Sequence, residues 1–380
     1  MTYDLESASF AELQARESMK WSAFPPEVLP AFVAEMDFPL AEPVKAALSA
    51  AIERGDTGYA NAPASGLGDA FAAFAMRRWS WTVDPAQVHA TSDVVHGLTA
   101  LLEVTIEPGD GVIVNSPVYY PFFSLIEEAG GRVVDAPLGE AGALDLDAIE
   151  SAFEAGARVM LLCSPQNPTG AVPTREQLAG LAELAARYGA WILSDEIHAP
   201  LTLPGTTHTP FLTVSPAAAE HGICLTSASK TFNLAGLGCA LMVTASDRAE
   251  EVITRLAPGS LHPGHLGVIA ARAAFTDGDD WLDQVVDRLD RNRNLLASRL
   301  ADRIPELSWI PPRAGYLAWL NCRNLGLGDD PATVILERSA LALSSGPQFG
   351  NGGAGHCRLN FGTTPGLLEE AVSRLARTVR

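Results

Sequence analysis

Cysteine is scarce in this chain of 380 residues, with five in all: Cys163, Cys224, Cys239, Cys322 and Cys357. The count is odd and no two stand at CxxC spacing, which argues against a disulfide framework or a zinc knuckle. Long apolar runs are missing too. No stretch of about 20 apolar residues occurs, so nothing in the sequence is suited to span a bilayer. Positive charge is in deficit, with 26 Lys and Arg against 45 Asp and Glu and a formal net charge of -19. A surface of that sign repels phosphate backbones and anionic lipid, so neither nucleic acid nor membrane is an expected partner. The start, MTYDLESASFAELQ, lacks the basic-then-apolar order of a secretory signal. With the cysteine usage, this leads us to expect a cytoplasmic protein. Several site motifs are absent as well: GxGxxG after a first strand, GxxxxGK[ST] and GxSxG. That argues against the common dinucleotide, P-loop and α/β-hydrolase sites. No HExxH occurs, and no HxxH or DxD pattern includes Asp195 or His198 to support a metal site there, so none is expected.

What is present fits a folded enzyme-sized chain. Hydrophobic residues make up 47% and charged residues 19%, and the length allows two or three domains at about 150 residues each. Short apolar runs read as buried strands: GVIVN (111–115), RVVDA (132–136), ARVMLLC (157–163), AWILS (190–194), GICLT (222–226) and GCALMV (238–243). Between them lie amphipathic stretches such as 174–189, where Thr174 has N-cap chemistry, Gln177 completes a capping box and Gly189 can end the helix. Alternating β and α units predict a mostly parallel sheet with helices on both faces. After 280 the pattern changes to a long helical stretch (281–303), then strand-like LSWI, GYLAWL and HCRLNF, then a last helix near 367–379. The expected organisation is an α/β fold. It has an arm at 1–45 that belongs with the small domain, a large domain at 46–279 and a smaller α+β domain at 280–380.

Open α/β sheets bind ligands beyond the carboxyl ends of their strands. Four polar loops follow expected strands: NSPVYYPF (115–122), SPQNPTG (164–170), SDEIH (194–198) and TSASKTFNLAGLG (226–238). Lys230 stands in the last of them with no other charge nearby, and the chain has only two other lysines, Lys20 and Lys45. A lysine desolvated in a crevice has a lowered pKa and a nucleophilic amine, whereas one at the surface merely snorkels. Asp195 and Glu196, at a strand end, have the chemistry to hold a cationic ring nitrogen or a metal, or else to cap a helix. The segment 91–104 turns into a helix whose first amides suit a phosphate, although no glycine-rich loop precedes it.

Together SPQNPTG, SDEIH, SASKTFNLAGL and the late RLNF resemble the fold-type I pyridoxal-phosphate enzymes of the class I/II aminotransferase superfamily, in matching order over nearly the whole chain. Within it the chain is most similar to the PatB/MalY-type cystathionine β-lyase group. The residues behind this are Lys20 followed by Trp21, AEMDFP (34–39), Gly58 followed by Tyr59, SDEIH in place of Asp-x-x-Tyr, and His208 two residues before Pro210. The resemblance implies roles. Lys230 would bond to the pyridoxal aldehyde and move the substrate's Cα proton. Asp195 would pair with the pyridinium nitrogen, Asn167 would donate to the phenolic oxygen, and His198 would lie near that oxygen. Tyr119 would stack on the ring. The amides of Val94 and Val95, with Ser227, would hold the phosphate, and Tyr59 would reach the phosphate of a neighbouring subunit in a homodimer. Arg358 would clamp the substrate carboxylate.

Two positions depart from the pattern. Asp93 stands where many members have glycine, and Gly238 stands where many aminotransferases have arginine. The reaction implied is carbon–sulfur β-elimination from cystathionine, cysteine or an S-substituted cysteine, giving pyruvate, ammonia and a thiol. Two alternatives are open at this point. One is an aminotransferase using the same residues, and the other is a regulatory or binding protein on the same fold.

Overall fold

Seven short runs rich in Val, Ile, Leu and Met pair into one sheet in the computed structural model, which describes residues 2–379. They are β1 (Val88–Thr91), β2 (Gly111–Val114), β3 (Arg132–Asp135), β4 (Val159–Cys163), β5 (Trp191–Asp195), β6 (Gly222–Thr226) and β7 (Ala240–Val243). Their spatial order is β1-β7-β6-β5-β4-β2-β3. Six strands share one direction. Only β7 is reversed, antiparallel to both β6 and β1.

The central strands are apolar on both sides because both faces are covered. Met160, Leu162 and Ile192 point into one core, while Val159, Leu161 and Leu193 point into another. Each such side chain, fully buried, contributes roughly 1.5–3 kcal/mol of transfer free energy.

The helices follow from local chemistry. Helix α1 (Val94–Thr105) leaves the end of β1 with Asp93 as its N-cap, the side chain accepting from the His96 amide. Helix α2 (Arg175–Tyr188) begins on the Thr174–Gln177 capping box and stops at Gly189, whose φ of +63° is left-handed. Helix α3 (Ala228–Thr231) is a single turn carrying Lys230 directly after β6. Two further helices, α4 (Asp279–Arg303) and α5 (Pro365–Thr378), accompany a second, wholly antiparallel sheet. Its strands are β8 (Ser308–Trp309), β9 (Leu317–Asn321), β10 (Ser344–Ser345) and β11 (His356–Asn360), in the order β10-β11-β9-β8.

The proline-rich start is tied to this second region, since Leu29–Pro30 pairs in parallel with Leu341–Ala342. A buried ion pair fixes it further. Lys20 Nζ lies 2.7 Å from Asp37 Oδ2, and the Trp21 indole donates to Asp37 Oδ1 at 2.8 Å. Strand β1 is an addition to the sequence reading, because its four half-polar residues, VHAT, form no apolar run. Among the described residues no helix is long and apolar enough to cross a membrane.

Candidate active site

The carboxyl ends of β1, β4, β5 and β6 open on one cavity of about 260 Å³, and the reversed β7 contributes its opposite end through Cys239. Every strand except β7 therefore delivers its following loop to the same edge. Asp195 is the last residue of β5, Lys230 stands four residues after β6, and Asn167 stands four after β4. Arg358 comes from the other sheet, at the middle of β11, and closes the opposite wall.

Electrostatically the cavity is unbalanced. Asp195 is buried and its Oδ1 accepts from the Ile197 amide at 3.0 Å. Desolvation pushes its pKa up to about 7, with the Glu196 charge adding to the rise and the Ile197 bond and Lys230 opposing it. Lys230 is pushed the other way, below the ordinary lysine value, first by desolvation and then by Arg358. Its Nζ donates to the carbonyl of Ala34 at 3.1 Å. Burial, then the charges of Lys230 and Arg358, bring His198 down to about 3, so its ring is neutral at physiological pH. Desolvation, then Asp195, raises Tyr119 to about 12, so its phenol keeps its proton.

Arg358 spreads its guanidinium over three acceptors. Nη1 donates to Asn167 Oδ1 at 2.9 Å, and Nη2 donates to the Phe32 carbonyl at 2.9 Å and to Ser344 Oγ at 3.1 Å. Its Nε is buried without a partner. Arg358 thus spans the gap between the Asn167 loop and the 32–37 segment.

Most of the residues singled out from sequence meet here. Lys230, Asp195, Asn167, His198, Tyr119, Val94, Val95, Ser227 and Arg358 all line the cavity. Ser227 is already committed, donating to the Cys239 carbonyl at 2.6 Å and accepting from the Ser229 amide at 2.9 Å. Tyr59 is not among them. It is fully exposed. Glu196 turns away into the core, taking bonds from the Ser194 hydroxyl, the Phe211 amide and His208. Its role is therefore to satisfy buried donors. Sequence reasoning did not assign the wall formed by Val33 and Ala34. Ala34 acts through its backbone carbonyl, which no residue type announces.

A buried carboxylate at a strand end, a desolvated lysine and a guanidinium around one cavity define the class of protein. Residues 33–375 match the aminotransferase class I and II family, and the chain belongs to it. More particular likenesses follow. Cystathionine beta-lyase of Corynebacterium glutamicum is 36% identical, covering 96% of this chain and 97% of its own. Cystathionine beta-lyase PatB of Bacillus subtilis is 33% identical, covering 92% of each. The crystal structure of cystalysin from Treponema denticola, which contains pyridoxal 5'-phosphate, superposes with a TM-score of 0.92 at 25% identity. That match covers 100% of this chain and 99% of the other.

The residues fit the cofactor that the sequence resemblance implies. Asp195, with its raised proton affinity, suits a cationic ring nitrogen. Lys230 offers an amine of lowered pKa to an aldehyde. The cap at Asp93 occupies the third amide of α1, which leaves those of Val94 and Val95 without intrahelical acceptors.

Proposed function

We propose that this protein is a pyridoxal-phosphate-dependent carbon–sulfur β-lyase. Its substrates would be cystathionine, cysteine or S-substituted cysteines, and its products pyruvate, ammonia and a thiol. One observation carries the reading: Lys230, Asp195 and Arg358 line a single cavity, in a chain at least 33% identical to two proteins named as cystathionine beta-lyases. When bound, the cofactor supplies an electron sink for the charge that develops at the substrate's Cα.

The chain's own residues do the rest. Lys230 would hold the aldehyde, and its amine would take the substrate's Cα proton. Desolvation, then Arg358, lowers its pKa and so favours the unprotonated amine. Asp195 keeps a proton on the ring nitrogen. Asn167 and the neutral His198 would hold the phenolic oxygen, and Tyr119 would cover the ring. The amides of Val94 and Val95, with Ser227, hold the phosphate. Arg358, whose Nε lacks a partner among the described residues, would hold the substrate carboxylate and so orient Cα toward Lys230. The large domain at 46–279 and the small domain at 280–380 with 1–45 would enclose the substrate between them. Tyr59 would complete the phosphate site of a second copy in a cytoplasmic homodimer.

The family name favours a second reading, an aminotransferase on an L-amino acid. The two separate in one assay. Purified protein loaded with pyridoxal phosphate is given cystathionine or cysteine with no keto acid. Pyruvate release that is lost in Lys230→Ala is the expected result, whereas turnover only when a keto acid is added replaces the lyase by the aminotransferase. A biological effect that survives Lys230→Ala would instead favour a regulatory role.

A further inference from the structure

The loop that would meet the cofactor's phosphate carries a negative charge of its own. Asp93 lines the same cavity as Lys230. Asp93 is exposed, and its carboxylate is fixed by two bonds, with Oδ1 accepting from the His96 amide at 2.8 Å and Oδ2 accepting from the Ser92 hydroxyl at 3.1 Å. The residue that abuts this loop from the far side is Gly238. A Cβ built on it would meet only the Ser92 carbonyl, at 3.7 Å. A side chain at 238 would point at the helix start, and the chain places none there.

The cations of the cavity are Lys230 and Arg358. The first is bonded to the Ala34 carbonyl, and the second to Asn167, Phe32 and Ser344. Ser227 spends its proton on the Cys239 carbonyl. A phosphate at the start of α1 therefore meets two free amides and the positive end of the helix dipole, and it meets them next to a carboxylate with no cation between.

We infer that Asp93 is an affinity-determining residue of the cofactor's phosphate subsite: its charge opposes the phosphate. The inference rests on the pyridoxal-phosphate reading above and goes beyond it. It assigns to one side chain a restraint on how tightly the phosphate is held. Asparagine and serine cap helices about as well as aspartate, so replacing Asp93 by either removes the charge and keeps the cap.

The test titrates the cofactor-free full-length chain with pyridoxal phosphate and, separately, with pyridoxal, following visible absorbance and tryptophan fluorescence. Asp93→Asn is expected to lower the dissociation constant for pyridoxal phosphate roughly threefold to tenfold, the size of a charge effect at a helix N-terminus. It is expected to leave pyridoxal binding unchanged. Asp93→Ser is expected to do the same and decides the matter if the first variant does not fold. Equal or weaker binding of pyridoxal phosphate in the variants overturns the inference, and so does an equal gain for pyridoxal. Failure of the unsubstituted protein to bind pyridoxal phosphate at all overturns the cofactor reading itself, a distinguishable result.

Discussion

Asp195 carries a cost that the cofactor-free chain cannot offset. Desolvation raises its pKa from 3.8 to about 7, so the folded protein binds this proton more tightly than the unfolded chain does. A carboxyl raised in the folded state contributes its stability below the unfolded value, and that contribution is lost as pH rises through the folded one. At pH 8 the ionised group therefore costs the native state on the order of 4 kcal/mol relative to its protonated form. Asp195→Asn keeps an acceptor for the Ile197 amide and removes the charge. Because Lys230 also loses an opposite charge, only part of the cost returns. The variant without cofactor should be more stable than the parent at pH 8 by about 1–3 kcal/mol, with little difference at pH 4. Urea denaturation at the two pH values checks this, and a variant less stable at pH 8 would contradict it. The same burial explains why the site was partly legible in the sequence. Asp195, Asn167 and Lys230 follow apolar runs that can only be buried strands, and the sheet's geometry then sends them to one edge. The Phe32 and Ala34 carbonyls that hold Arg358 and Lys230 were not legible, because every residue has a carbonyl.

Elements whose ends are written in side-chain chemistry were read to within a residue or two. Helix α2 is the clearest. Thr174 Oγ1 accepts from the Gln177 amide, Gln177 reaches back to the Thr174 amide at 2.9 Å, and Gly189 takes the left-handed C-cap. Thr174→Ala removes one half of that reciprocal pair and should cost about 1 kcal/mol of stability. Its activity should be unaffected, since α2 starts outside the cavity wall. Thermal unfolding of the two proteins side by side measures it, and an unchanged midpoint would show that the cap contributes nothing. Strand direction and edge strands obey other rules. The direction of β7 depends on the short connection through Lys230 and Gly238. The strand VHAT owes its existence to a neighbour, β7, whose residues lie about 150 positions away in sequence. Neither cause leaves a local periodicity.

At the scale of the molecule, the first forty residues act as a strap between the two sheets. Residues 32–37 offer successive carbonyls to donors from remote parts of the chain. Arg358 and Ser344 bond Phe32, Asn360 bonds Val33 and Glu35, Tyr316 and Lys230 bond Ala34, and Asn233 bonds Met36. The strap thus joins the lysine from one sheet to the guanidinium from the other, and the site is complete on that side. At the proposed phosphate position no cation among the described residues pairs with Asp93, and Tyr59 is fully exposed. If a second copy supplies Tyr59 across a two-fold interface, each site draws Lys230 from one subunit and Tyr59 from the other. A Lys230→Ala chain and a Tyr59→Ala chain, each impaired alone, then make one intact site per mixed dimer. Since half of randomly paired dimers are mixed, co-refolding equal amounts should restore roughly a quarter of the parental activity. Differently tagged chains, purified through both tags and assayed for pyruvate release, isolate the mixed species. Verified mixed dimers no more active than either variant alone would place Tyr59 outside the shared site.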